Sequence, residues 1–186
     1  MMMLIVFAAV VFLLLIWLML IYNRLVHYRN LRKTAFADID VQLQQRYDLV
    51  PQLVETVKGY ANHEKSLLTS ITEARANVLS AGSIAEKVNA DNSMTQALSG
   101  LRIAMEAYPD LKADQNFLQL QEELADLENK LAASRRYFNS STRELNTSIE
   151  SFPAVLFSSA FGFKKEPMFD LGETRVILEK PREIKF

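Results

Sequence analysis

The first 23 residues carry no charged side chain, and they constrain the fold more than any other part of the chain. Met3 to Tyr22 form a run of twenty apolar or aromatic residues, and twenty helical residues extend about 30 Å, the thickness of a bilayer's hydrocarbon core. Trp17 and Tyr22 lie towards the C-terminal end of this run, where aromatic rings favour the lipid–water interface. The sequence therefore predicts a single transmembrane helix over residues 1–23.

A secretory signal peptide that is later removed is the alternative for this segment. No Lys or Arg precedes the apolar run, the run is long for a signal peptide, and no cleavage site of small residues follows it. These three features favour an anchor that the mature protein keeps.

The residues that follow the span have a strong positive bias before the first acid, Asp38. The basic residues are Arg24, Arg29, Arg32 and Lys33. Positively charged flanks stay in the cytoplasm, so we expect the N-terminus outside and the C-terminal domain inside. Together with Trp17 and Tyr22, these four side chains are predicted membrane-interface residues, because cations contact anionic lipid headgroups.

Composition and motifs give little sign of chemistry. The net charge of −1 argues against a nucleic-acid partner, which needs a basic surface, and the absence of cysteine removes thiolate catalysis and Cys-ligated zinc. His63-Glu64 starts like a zinc-peptidase helix, but Leu67 stands where the second histidine would be. We therefore expect no catalytic, cofactor-binding or metal-binding residues. An unrecognised enzymatic site that uses His63, Asn139 and Asn146 is the remaining alternative.

Apolar residues spaced three and four apart predict long helices after the span. We expect these helices over 24–47, 51–79, 84–107 and 115–150. Pro51 predicts a kink or break between about residues 47 and 50, because proline removes a backbone donor and crowds the carbonyl of Tyr47. Arg46 and Glu64 fall on the apolar stripe, where they could form a buried pair or, as we favour, lie at its margin.

Two helix starts carry capping signals. Ser83 is followed by Glu86 three residues later, which is the pattern of a capping box, and Asp114 is a good N-cap for the helix over 115–150. That helix has the most regular apolar stripe in the chain. Its members are Phe117, Leu120, Leu124, Leu127, Leu131, Ser134, Phe138, Ser141 and Leu145. Such a stripe packs along other helices or along copies of itself, so we predict coiled-coil packing in an all-α antiparallel bundle.

Residues 152–163 form a Phe-rich segment that is too short to span a membrane. Its candidate oligomer or membrane contacts are Phe152, Phe157, Phe161 and Phe163. Three interpretations are open: a lid over the end of the bundle, an interfacial segment with Lys164 and Lys165 at the headgroups, or a contact between protomers. Residues 24–163 would then form one helical domain. Residues 164–186 would form a weakly ordered, mixed-charge tail, in which 174–178 could make a strand or lie against the bundle.

Several sequence blocks together resemble the LemA family of bacterial membrane proteins. They are residues 22–26 (YNRLV), 37–61 (ADIDVQLQQRYDLVPQLVETVKGYA), 63–64 (HE), 108–112 (YPDLK), 116–121 (NFLQLQ), 136–139 (RYFN), 152–153 (FP) and 161–163 (FGF). The family usually has Trp near the position of Phe36 and Tyr at the position of Leu145, and both exchanges keep an apolar side chain. The resemblance implies an N-terminal anchor and an antiparallel helical bundle, with no established enzymatic activity.

The resemblance also bears on location and partners. Some relatives are associated with magnetosome membranes, and others neighbour a membrane zinc peptidase. Some carry a lipid-modified cysteine, which would place their domains outside the cytoplasm and makes a periplasmic domain the alternative for this chain. We favour a non-catalytic scaffold that self-assembles at the bacterial inner membrane, with lipid and copies of itself as partners and no cofactor. The alternative is an adaptor or regulator of another membrane protein, such as a membrane peptidase.

Overall fold

The computed structural model describes residues 1–60 and 64–169. All regular secondary structure in these two ranges is helical, which confirms the predicted all-α class. The helices are α1 (Met2–Lys58), α2 (Lys65–Ser80), α3 (Ile84–Ala104), α4 (Pro109–Lys112) and α5 (Gln115–Glu150). Short 3₁₀ turns lie at Met105–Ala107 and Ala154–Leu156. His63 and residues 170–186, most of the expected tail with its segment 174–178, lie outside the described residues.

The chain forms two compact units. The first unit contains residues 1–39 and 133–168, and the described part of the second contains residues 40–60, 64–132 and Phe169. Helices α1 and α5 therefore contribute residues to both units. The predicted domain boundaries after residues 23 and 163 depend on the membrane and on composition, and they stay a prediction.

Helix α1 continues through Pro51, so the predicted break before this proline is wrong. The carbonyl oxygen of Tyr47 has no partner N–H at Pro51, but it accepts a hydrogen bond from Arg75 Nε at 3.1 Å. Because α2 supplies this donor, the carbonyl is satisfied without ending the helix. Helix α1 therefore ends at Lys58, and the next helix begins at Lys65 instead of continuing from residue 51.

The second unit contains a buried ion pair. Arg46 Nη1 lies 2.9 Å from Asp91 Oδ1 and 3.2 Å from Thr95 Oγ1, and the residues Arg46 and Asp91 are 3% and 0% exposed. Burial lowers the pKa of Arg46, while the nearby Glu128 carboxylate raises it. Arg46 is thus a core residue, so placing it at the margin of the stripe was wrong.

The start of α5 and its apolar stripe agree with the sequence. The backbone N–H of Phe117 donates to Asp114 Oδ1 at 2.9 Å, so Asp114 caps the helix as predicted. Seven members of the stripe are buried and two are half-buried. The half-buried members are Leu124 and Ser134. The chain's own helices cover the stripe, so a second copy of the protein is not needed to shield it from water.

A full capping box begins α3. Ser83 Oγ accepts from the N–H of Glu86, and Glu86 Oε2 accepts from the N–H groups of Gly82 and Ser83 at 2.8 and 3.0 Å. These backbone bonds, Gly82 first, lower the pKa of Glu86 below its ordinary value of 4.5. The carboxylate therefore stabilises the fold above about pH 4.5, and this contribution is lost as the pH falls through the lower folded-state pKa.

The capping box gives a testable pH dependence. We expect Glu86→Gln to melt below the wild type at pH 7, with a difference that shrinks on acidification because the wild-type carboxylate becomes protonated. Thermal melting followed by circular dichroism at several pH values measures this difference. Glu73→Gln, at an exposed position on α2, is the control and should leave the melting curve at pH 7 unchanged. A Glu86→Gln difference that is constant with pH would contradict the assignment.

Candidate membrane interface

The exposed apolar length of α1 is the first element of the candidate interface. The helix contains one segment that is long and apolar enough to cross a membrane, and none of that segment is buried within the protein. Trp17 and Tyr22, near its end, are 44% and 40% exposed. An apolar surface of this extent would be unfavourable in contact with water, so the segment has the properties of a membrane span.

Just beyond the span, α1 and α5 run antiparallel. Arg32 on α1 bonds Thr142 on α5, while the rings of Phe36 and Phe138 lie 5.7 Å apart between their centroids. Residue numbers thus rise along α1 as they fall along α5, which is the predicted antiparallel arrangement. The C-terminal end of α5 consequently lies beside the part of α1 that leaves the span.

A small apolar core lies at this end of the first unit. Its buried members are Leu25, Leu145, Ile149, Ala154 and Phe163. Ile21, which belongs to the apolar run, packs against this core. The candidate membrane helix and the Phe-rich segment therefore share one hydrophobic cluster.

The four Phe residues of the Phe-rich segment have different environments. Phe163 is 4% exposed, its ring lies 5.9 Å from that of Tyr22, and the Arg29 guanidinium lies 4.9 Å above it. Phe157 is half-buried, whereas Phe161 and Phe152 are 37% and 77% exposed. Phe163 is thus a core side chain of the first unit, whereas Phe152 and Phe161 are open to solvent.

Gly162 turns the chain between Phe161 and Phe163. Its φ of +75° lies in the left-handed region, which glycine adopts without the strain that a Cβ causes. An added Cβ would meet no atom within 4 Å, so a substitution would strain the backbone alone. The sequence Phe-Gly-Phe therefore lets one ring face outward and the next enter the core.

Replacing Gly162 by alanine should lower the free energy of unfolding by about 1–2 kcal/mol, the cost of a left-handed conformation for an L-residue. Urea unfolding in mild detergent, followed by circular dichroism, measures it. Gly82→Ala is the control, because a Cβ there would make an ordinary 3.8 Å contact with Glu86 and no positive φ is involved. Equal destabilisation by both substitutions would show that the turn conformation is not the cause.

Arg32 is used inside the protein. Its Nε donates to Thr142 Oγ1 at 3.1 Å, and its Nη2 lies 3.2 Å from the carbonyl of Pro167 and 3.3 Å from Glu166 Oε2. The guanidinium also lies 4.8 Å above the ring of Phe138. Burial lowers the pKa of Arg32, and Glu166 raises it. With 8% exposure, Arg32 holds residues 166–167 onto the helices, and we leave it out of the proposed headgroup contacts.

The other predicted basic residues lie closer to solvent. Arg24 and Lys33 are exposed, and Arg29 is half-buried beneath its contact with Phe163. The Arg24 guanidinium lies 5.7 Å from the ring centroid of Tyr28. Arg24 is therefore exposed close to the end of the span, whereas Lys33 lies about 16 Å along α1 from Tyr22.

Asn146 has a structural role in the first unit. Its Nδ2 donates to the carbonyl of Glu166, and its Oδ1 accepts from the N–H of Glu166, both at 2.9 Å. This pair of bonds fixes the segment after the Phe-rich turn against α5. Among residues 1–60 and 64–169, no three His, Cys, Asp or Glu side chains lie together as metal ligands would.

A cleft of about 420 Å³ opens in the second unit between α1, α3 and α5. Apolar side chains such as Leu53, Leu98 and Phe117 line it together with charged groups that include Arg46 and Arg102. Sequence reasoning missed this cleft, because its lining comes from three separate helices and no local motif marks it.

The sequence pattern of the LemA family matches residues 35–186. This range covers most of the chain and begins after the apolar run. The protein belongs to the LemA family. The resemblance drawn from the sequence blocks is thereby confirmed, although the block at residues 22–26 lies outside the matched range.

Several LemA-family relatives are similar to this chain. "Magnetosome protein MamQ" of Magnetospirillum gryphiswaldense is 24% identical, over 76% of this chain and 62% of the relative. "Protein LemA" of Metamycoplasma hominis is 25% identical, over 70% and 60% respectively. "Magnetosome protein MamQ 2" of Paramagnetospirillum magneticum is 22% identical, over 76% and 62%. The chain thus spans about six-tenths of the length of the curated relatives it matches. Family membership and the exposed span together support a membrane location.

Proposed function

We propose that this protein is a non-catalytic, single-pass scaffold that self-assembles at the bacterial inner membrane. The observation that carries the proposal is the continuity of α1 from Met2 to Lys58, because one helix supplies both the candidate span and core residues of the soluble part. A flexible linker rich in Gly and Ser would let a catalytic domain move freely. A continuous helix instead holds its first unit at a fixed place beside the bilayer.

The proposed orientation places the N-terminus outside and the soluble units in the cytoplasm. The exposed cations Arg24 and Lys33 support it, because positive flanks remain on the cytoplasmic side. A periplasmic domain is the alternative. Fusing a reporter that fluoresces only in the cytoplasm to the C-terminus distinguishes the two arrangements, and a dark fusion would reverse the orientation.

Self-assembly has to use surfaces other than the α5 stripe, because the chain covers that stripe itself. In the second unit, Ile103 and Leu79 are 75% and 54% exposed and are candidate protomer contacts. Ile103 is the more exposed of the two, so the test below uses it.

Native mass spectrometry of the full chain released from lipid nanodiscs tests the assembly. We expect species at multiples of the 21.2 kDa protomer, and we expect Ile103→Asp to shift them towards single protomers. Ala132→Asp, at an exposed position on α5, is the control and should leave the distribution unchanged. A strict monomer under gentle extraction would overturn the proposal.

The alternative is an adaptor or regulator of another membrane protein, such as a membrane peptidase. The cleft between α1, α3 and α5 is the observation that favours it, since an open cleft with apolar and charged walls can receive a partner segment. Crosslinking in cells from a photoreactive residue at Leu98 tests it. Adducts to one other membrane protein would support the adaptor, whereas adducts between copies alone would favour the scaffold.

A further inference from the structure

Four large apolar side chains of the Phe-rich segment project into solvent beside the candidate span. Phe152, Val155, Leu156 and Phe161 are 77%, 47%, 63% and 37% exposed. We call these four residues the apolar collar. Soluble surfaces tolerate scattered apolar residues, but four large ones within ten positions mark a contact surface.

The collar lies level with the end of the apolar run. The ring of Phe161 contacts that of Tyr22 edge-on, with 5.3 Å between centroids. Ala154, between the exposed members of the collar, is buried in the same cluster as Leu25. Leu25 follows Tyr22 by three residues, which is about 4.5 Å along a helix. The collar therefore lies within about one helical turn of the point where the span ends.

We propose that the apolar collar inserts into the lipid–water interface next to the span, as a second membrane contact of the same chain. Short segments of this kind bury bulky apolar side chains at the boundary between headgroups and acyl chains. Lys164 and Lys165 follow the collar after Gly162 and Phe163, and both are exposed, although Lys165 also pairs with Glu150. Arg24, also exposed, lies two residues beyond Tyr22. These cations complement anionic headgroups at the depth where the collar ends.

Lipid is a better candidate than a second copy of the protein for covering the collar, because the collar lies beside the end of the span. The chain's own anchor brings the bilayer to Tyr22, and Phe161 touches Tyr22. The collar consequently meets lipid in every embedded protomer at any concentration, whereas a copy reaches it only after an encounter. Phe163 is buried in the protein's own core, whereas the protein leaves the four collar residues uncovered.

Spin-label accessibility in the full chain tests the proposal. The protein has no native cysteine, so Leu156→Cys can carry a single label in vesicles of phosphatidylethanolamine and phosphatidylglycerol. Power saturation then compares collisions with oxygen, which concentrates in lipid, and with a polar nickel chelate, which stays in water. Val155→Cys provides a second position, and circular dichroism verifies that each variant keeps its helices.

Ser140→Cys is the matched control. Ser140 is exposed on α5, near the level of Arg32, which pairs with Thr142 and lies about 15 Å along α1 from Tyr22. We expect the ratio of oxygen to nickel accessibility to be several-fold higher at residues 155 and 156 than at residue 140. Equal ratios would overturn the proposal in favour of water. Low accessibility to both reagents would overturn it in favour of a protein contact. Native mass spectrometry of the same sample then shows whether such a protein contact is made with a second copy.

Discussion

Replacing Asp91 by alanine should lower the free energy of unfolding by about 3–5 kcal/mol, the loss expected when one partner of a buried ion pair is removed. The carboxylate lies 2.9 Å from Arg46, and both side chains are almost fully buried. Without it, a guanidinium that stays charged is left in the core without its counter-ion. Urea unfolding in mild detergent, followed by circular dichroism, measures the loss.

Two variants separate this effect from simple loss of packing. The double variant Arg46→Met with Asp91→Leu should recover most of the stability, because apolar residues of similar volume replace a buried pair without a desolvation cost. Lys130→Ala removes the exposed pair with Asp126 and should cost no more than about 0.5 kcal/mol. The buried-pair interpretation would be contradicted if Asp91→Ala lowered the free energy of unfolding only slightly, or if the double variant were less stable than Asp91→Ala.

The second large effect is expected at Phe163. Replacing this residue by alanine should lower the free energy of unfolding by about 3–5 kcal/mol, because a buried aromatic ring leaves a cavity. The ring packs in the cluster with Leu25 and touches Tyr22 and Arg29. Amide hydrogen exchange along the C-terminal part of α5 should speed up in the variant, since this region contributes Leu145 and Ile149 to the same cluster.

Phe152→Ala provides the contrast within the same segment. Phe152 is 77% exposed, and surface substitutions generally change stability by no more than about 0.5 kcal/mol. The variant should keep its folding stability. Under the proposed lipid contact, it should also bury less apolar surface at the lipid–water interface. Equal destabilisation by the two alanine variants would show that Phe152 packs into the core as firmly as Phe163 does.

The helical class, the start of α5 and the capping box were predictable because each depends on local sequence. The three-four spacing, Ser83 with Glu86, and Asp114 all act within a few residues, so the sequence alone displays them. The family followed from several blocks whose combination is specific.

The two errors in the second unit have one physical cause. Pro51 suggested a kink or break because proline is unfavourable inside an isolated helix, and Arg46 suggested a surface position because charged side chains are rarely buried unless they are paired. Each is accommodated by a distant side chain, Arg75 for the carbonyl of Tyr47 and Asp91 for the guanidinium. Tertiary partners of this kind leave no signal in local spacing.

The candidate interface was predictable in composition and not in detail. The Phe-rich segment and the basic flank were evident, but nothing in the sequence separates buried Phe163 from exposed Phe152 or assigns Arg32 to Glu166. Those assignments depend on the turn at Gly162 and on how α5 aligns with α1. The exposure of Val155 and Leu156 likewise depends on how the segment packs and could not be predicted from the sequence.

The shared position of Leu25, in the helix that leaves the span and in the cluster that holds the Phe-rich segment, has a consequence for membranes of different thickness. Helices adjust to hydrophobic mismatch chiefly by tilting. The side chains packed on residues 21–25 must follow such a tilt. Thinning of the bilayer would therefore move one end of the Phe-rich segment deeper into the membrane and the other end towards water. We therefore expect the angle between the Phe-rich segment and the membrane plane to change with the local thickness of the bilayer.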